Sequence, residues 1–388
     1  MIYLDNAATT KPDPRVVASM MLHMTDDSYG NPGSIHTAGD APKDIVQRAR
    51  ESVARFLNGH MSDVVFTSGG SEGNSFIIRG VLPYLRAAGK TEIIVSAAEH
   101  DSVLNAAHAA IKEGFEVTVL PVNSEGCVEP NVLSAAITDK TGLVSVMYVN
   151  NELGGVNDVT SLAEICRKKR VLFHTDCVQA AGSIPIDVSQ IGCDFATISA
   201  HKFHGPKGVG AVYMRRHDVL SPIIFGGSAQ EFGLRGGTEN VPGIDGMGVA
   251  CDIASLEMRE DMMHVESIKQ RFFTELKFGL SAAGLIDGVI VNGPPVIHHG
   301  KILNLQFPGV DSETLLLALS NEGICVSSGS ACNSHSSLPS HVLLAAGLSE
   351  SEARSSIRVS FSKYNTEHEA VYAADAIARS VAALHCAR

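Results

Sequence analysis

FATISAHKFHGPKGVGAVYM (195–214) sets two short apolar runs, 195–200 and 210–214, around a loop of glycine, histidine and lysine. Both are mostly apolar, GAVYM without a break, so each reads as a strand buried on both faces. Similar runs precede them: VVFTS (64–68), EIIVS (92–96), VTVLPV (117–122), LVSVMYV (143–149) and VLFHTD (171–176). Helical patterns separate many of these. In 43–57, Ile45, Ala49, Val53, Phe56 and Leu57 fall on one stripe, and 160–170 reads as another helix. Alternation of strand and helix predicts an α/β domain with a mostly parallel sheet. Ligands of such sheets gather at the C-terminal ends of the strands.

The tempo changes after residue 254. The stretch 255–283 reads as one or more long helices. Shorter strands follow in VIVNG (289–293) and ILNLQF (302–307), then a helix over 312–321 and a last helix over 367–384. The expected division is a large α/β domain over 15–254 and a smaller α+β domain built from 1–14 and 255–388. No repeat or low-complexity segment stands out.

Composition narrows the function classes. The 388 residues include 42 acidic and 30 basic side chains, for a net charge of −12. That balance disfavours direct nucleic-acid binding and binding to anionic membranes, which need basic patches. The basic run 167–170 sits at an expected helix end, where it complements the dipole. The N-terminal MIYLDNAATT lacks a basic region followed by an apolar one, so no secretory signal is expected. No apolar run reaches the roughly 18 residues of a membrane span. Eight cysteines without a C-x-x-C pair point to a reduced, cytoplasmic protein rather than a disulfide scaffold.

Four constellations fall at expected strand ends. TSGGSEGN (67–74) follows a strand and precedes a helix, so its backbone N–H groups suit an anion such as phosphate; a plain glycine-rich turn is the alternative. In HTDCVQAAG (174–182), Asp176 either caps a helix or holds a protonated ring nitrogen. In SAHKFHGPKGVG (199–210), Lys202 either reaches the surface or, with its pKa lowered by burial, forms a Schiff base. His201 and His204 lack the cysteine or carboxylate pattern of a metal site, so no metal is expected. In AAEHDSV (97–103), His100 is either structural or positioned to stack on a ring and carry protons. Together they supply an anion cradle, a ring-nitrogen carboxylate, an imine-forming lysine and a proton carrier. Pyridoxal 5′-phosphate needs that set.

The order of motifs resembles the cysteine desulfurases, pyridoxal-phosphate enzymes of the fold type I aminotransferase architecture. The likeness runs through YLDNAATT (3–10), GNPGSIHTAG (30–39), TSGGSE (67–72), VNNELGGV (149–156), DCVQ (176–179), SAHKFHGPKG (199–208), RGGTEN (235–240), SSGSAC (327–332) and SSIRVS (355–360). The SSGSAC form resembles the group that serves nitrogenase and housekeeping iron–sulfur assembly. The resemblance implies that Lys202 is the Schiff-base lysine and that Asp176 pairs with the pyridine nitrogen. It implies that Gln179 and Asn151 bond the ring hydroxyl and that His100 stacks on the ring. Gly70, Ser71, Ser199 and His201 are implied to hold the phosphate, and Thr238 to reach the phosphate of the partner subunit in a homodimer. Arg358, assisted by Asn31, is implied to grip the substrate carboxylate. The sequence departs from the family's phosphate loop in having Ser71 where threonine is common and Ser75 after Asn74, yet a serine hydroxyl still bonds phosphate.

The implied reaction turns L-cysteine into L-alanine. Its sulfur passes to Cys332 as a persulfide and then to an acceptor protein. Cys332 sits in SSGSACNSHSS (327–337), a stretch of small polar residues unlike a packed core. The acceptor's pathway stays open between iron–sulfur assembly, nitrogenase maturation, tRNA thiolation and sulfur modification of DNA. A selenocysteine lyase and a noncatalytic sulfur-relay subunit are the competing readings.

Overall fold

A computed structural model describes residues 1–25, 28–227, 230–296, 300–329 and 338–386. Its strands are β1 (Ile2–Tyr3), β2 (Val64–Thr67), β3 (Glu92–Ser96), β4 (Glu116–Leu120), β5 (Thr141–Ser145), β6 (Leu172–Asp176), β7 (Phe195–Ser199), β8 (Gly210–Met214), β9 (Ile290–Asn292), β10 (Ile302–Gln306), β11 (Ile324–Cys325) and β12 (Ser356–Ser360). Seven of them form one sheet in the order β2-β8-β7-β6-β5-β3-β4. All neighbouring pairs are parallel except those made by β8, which runs antiparallel to β2 and β7. The short link between β7 and β8 explains the exception, since a parallel return needs a crossover of roughly a dozen residues or more. That link is the lysine loop.

The apolar runs are continuous because each strand feeds two cores. Leu172 and Phe195 pack on one face of the sheet, while Phe173, Ala196 and Ile198 pack on the other. Successive side chains of a strand point to opposite faces, so burial on both sides favours apolar residues throughout, while the edge strand β4 leaves Glu116 and Val119 exposed. A third core joins Leu4 to side chains from Val265 to Val381, around the antiparallel trio β12-β10-β9.

The expected break at 254/255 falls inside a single helix, Val241–Ala282. Its first part packs with the large sheet's core through Ile244, Met247 and Cys251, and its second part enters the other core through Phe272 and Leu276. Gly248 lies inside the helix because Ala49 passes close by: a Cβ on Gly248 would sit 2.8 Å from the Ala49 Cα. Among the described residues no helix is long and apolar enough to cross a membrane.

Candidate active site

The C-terminal ends of β2, β3, β5, β6 and β7 open on a cavity of about 210 Å³. Gly70, Ser71, His100, Asn151, Asp176, Gln179, Ser199, His201, Lys202 and Arg358 all line it. Each arrives for a local reason. Gly69, at φ 152°, turns the chain from β2 into the helix Gly70–Gly80. Gly70 then passes so near Val178 that a Cβ would lie 2.8 Å from its Cγ2. The first-turn N–H groups of this helix lack intrahelical partners and suit an anion, which makes this end the candidate anion cradle. Glu72 folds back to accept from the Ser68 N–H at 2.8 Å and from Arg235 Nε at 2.9 Å. Burial pushes the Glu72 pKa up, but these bonds and the Arg235 charge outweigh it, and the carboxylate is held below its usual range.

Asp176 ends β6 and is buried. Its Oδ1 accepts from the Val178 N–H at 2.8 Å, and its Oδ2 accepts from Asn74 Nδ2 at 2.7 Å. Two neutral donors stabilise the carboxylate without cancelling its charge. Lys202 ends the short turn Ala200–Lys202 after β7, and its Nζ donates to the carbonyls of Ala7 and Ala8 at 2.7 and 2.8 Å. His201 Nδ1 lies 3.1 Å from Thr9 Oγ1. Burial, then the charges of Lys202, Lys207 and Lys301, lowers the His201 pKa to about 4, so the imidazole is neutral near pH 7.

Arg358 comes from the other core, on β12, and is almost wholly buried. Its two terminal nitrogens donate to the Asn151 carbonyl and to Asp5 Oδ1, both at 2.9 Å. The Arg358 backbone also bridges Ser327. Beyond the serine-rich stretch, Ser340 forms a second anchor, its Oγ donating to Glu152 Oε2 at 2.6 Å. Cys332 itself lies outside the described residues. Asn31 and Thr238 do not line the cavity of their own chain. Asn31 is exposed on a turn, its Oδ1 accepting from the Gly33 N–H. Thr238 is exposed in a hollow beside Ser68 and Arg235, next to the anion cradle.

The chain resembles known proteins over nearly its whole length. The class-V aminotransferase family model matches residues 2–372. Cysteine desulfurase IscS of Dictyoglomus turgidum is 41% identical over 98% of this chain and 94% of its own. The chain belongs to the cysteine desulfurase family, within the class-V aminotransferases. Among solved structures, a NifS-like protein superposes with a TM-score of 0.88 at 37% identity, covering 97% of this chain and 98% of that one. SspA in complex with cysteine superposes with a TM-score of 0.78 at 33% identity, covering 94% and 100%.

The family's cofactor is pyridoxal phosphate, and the cavity fits it. Buried polar atoms there await partners: Ser199 Oγ, Asn151 Oδ1 and Gln179 Oε1 make no hydrogen bond among the described residues. Leaving such atoms unpaired is costly, so a polar ligand is the natural complement. Ser199 stands 3.7 Å from where a Gly69 Cβ would be, beside the anion cradle. Asp176 offers the negative charge a protonated pyridine needs.

Lys301 escapes sequence reading, for it carries no motif. Its buried Nζ donates to the Lys202 carbonyl at 2.9 Å. Burial, then the charges of Lys202 and Arg358, lowers its pKa to about 7. The unfolded chain therefore takes up this proton below about pH 10, while the fold accepts it only near pH 7. Between these values the wild-type protein gains stability as pH rises. Lys301→Met lacks this slope, so the variant's stability relative to wild type falls by roughly 1.4 kcal/mol per pH unit from pH 7.5 to 9.5. Urea unfolding of both proteins at each pH measures it; parallel curves would show that Lys301 is not held neutral.

Proposed function

We propose that the protein converts L-cysteine to L-alanine and takes the sulfur onto Cys332 as a persulfide for an acceptor protein. The observation that carries this reading is the convergence of Lys202, Asp176 and Arg358 in one cavity beneath the anion cradle. The structure of SspA with cysteine, a relative by fold and sequence, supports the choice of substrate.

Pyridoxal phosphate, when bound, supplies an electron sink for the carbon that loses its proton. The chain supplies the rest. Arg358 is fixed by two acceptors and offers its guanidinium to the substrate carboxylate. Asp176, which lines the cavity, would hold a proton on the ring nitrogen. Lys202 would hold the cofactor covalently at rest, and its amine lines the same cavity, where it would serve as the base for the α-proton. The Cys332 thiolate attacks the substrate sulfur. A new S–S bond forms, the Cβ–S bond breaks, and its electron pair stays with the carbon skeleton, which leaves as alanine after protonation. A thiol and cysteine thus become a persulfide and alanine, with no outside oxidant. The described residues that precede and follow Cys332 in the chain are anchored at Arg358 and Glu152, through Ser327 and Ser340.

The working unit is a homodimer in which Thr238 meets the partner's phosphate, which accounts for an exposed threonine beside the cradle. The described cysteines are free thiols, which suits the cytoplasm. Incubation of the holoenzyme with L-cysteine and a reductant should yield alanine and sulfide in equal amounts. No alanine from cysteine would sink the reading, and alanine from selenocysteine alone would favour a selenocysteine lyase.

A further inference from the structure

Four side chains join the two ends of the cofactor cavity. Asn74 Nδ2 donates to Asp176 Oδ2 at 2.7 Å and to Ser102 Oγ at 2.9 Å. Ser102 Oγ lies 2.9 Å from His100 Nδ1, and the Ser102 backbone N–H donates to the same nitrogen at 3.1 Å. The directions are fixed by chemistry. Asp176 is a carboxylate and accepts only, so the amide of Asn74 must turn its nitrogen toward it. That nitrogen has two protons, and the second goes to Ser102 Oγ. The serine's lone pair is thereby occupied and its own proton is directed to His100. Nδ1 also faces a backbone N–H, which can only donate. Nδ1 is therefore an acceptor twice over, and a neutral His100 carries its proton on Nε2.

We propose that Ser102 is a positioning residue that locks His100 in its Nε2–H form. The proposal rests on the pyridoxal-phosphate reading above. Asn74 cannot release an amide proton at neutral pH, so the chain from Asp176 to His100 is an orienting device and not a proton wire. His100 then enters the reaction as a hydrogen-bond donor from Nε2, and removal of the α-proton falls to Lys202. The sequence holds the signal in part: Asn74, His100 and Ser102 follow strand ends β2 and β3, whose loops open on the same cavity.

The test uses the holoenzyme labelled with 15N-histidine, with His100 assigned through His100→Asn. Wild type and Ser102→Thr should show an unprotonated Nδ1 and a protonated Nε2. Ser102→Ala keeps the backbone N–H donor but loses the hydroxyl, so the share of Nδ1–H imidazole should rise above the wild-type level and kcat on L-cysteine should fall by about tenfold, the scale of one hydrogen bond, with KM little changed. The visible absorption of the bound cofactor checks that each variant keeps its pocket. A wild-type His100 protonated at Nδ1 overturns the proposal, as does a Ser102→Ala protein with unchanged ring nitrogens and unchanged kcat. The nitrogen signals are read without substrate, so they stand even if L-cysteine proves not to be the substrate.

Discussion

Lys202→Ala should bind pyridoxal phosphate without a covalent link and lose cysteine desulfuration by roughly 10³–10⁴-fold, the scale of losing a positioned proton carrier. The argument is geometric. Lys202 sits on the short turn where β7 gives way to the antiparallel β8, so its backbone is set by the sheet. Its amine rests on two neutral carbonyls, those of Ala7 and Ala8. These two bonds aim the amine at the cavity that Lys202 lines. Borohydride should fix the cofactor to wild type and not to the variant. Lys202→Arg should not rescue turnover, because a guanidinium keeps its proton at any working pH. Activity within tenfold of wild type in Lys202→Ala, or cofactor fixed instead on the neighbouring Lys301, would remove Lys202 from its role.

The strands of the large sheet were legible because burial on both faces of the inner strands writes mostly apolar runs. β12 was not: Ser356–Ser360 has serine at both ends and Arg358 in the middle, and its partners in β10 lie far off in sequence. The helix Val241–Ala282 was half legible, since Gly243, Gly246 and Gly248 suggest a loop until the close approach of Ala49 and Met20 is seen. In the site, each of Lys202, Asp176 and His100 had a plausible structural role alone, and only their shared position at strand ends favoured chemistry. What sequence could not supply were partners brought in by the fold. Asp5 reaches Arg358 from the far end of the chain, and Asn74 reaches Asp176 from a different strand end. Neither pair shares a local motif, so no spacing announces it. The placement of Thr238 outside its own cavity has a similar cause if its phosphate belongs to a second subunit.

Cys332→Ala should lose persulfide formation and cysteine desulfuration by roughly 10³-fold or more while keeping the cofactor bound. The size follows from the thiols that would remain. A nucleophilic cysteine must be a thiolate. Burial pushes the thiols of Cys127, Cys166 and Cys193 up to about 12, and those of Cys177 and Cys251 well above the ordinary range. At pH 7 a thiol with a pKa of 12 is ionised to roughly 10⁻⁵, against a few per cent for an ordinary exposed cysteine. That ratio alone removes about three orders of magnitude before access is considered. Cys325 pairs through its backbone with Tyr3 on β1, and Cys386 ends the last helix; neither lines the cavity. The measurement is alanine release, together with transfer of labelled sulfur from cysteine to protein. Lys202, Asp176 and Arg358 are untouched by the change, so the variant should still bind L-cysteine and shift the visible spectrum of the cofactor. If Cys332→Ala released alanine from L-cysteine at the wild-type rate, carbon–sulfur cleavage would need no protein thiol, and the serine-rich stretch would lose its catalytic purpose. Turnover of selenocysteine by the same variant would be compatible with the assignment, since selenium leaves carbon more readily than sulfur and depends less on an attacking thiolate.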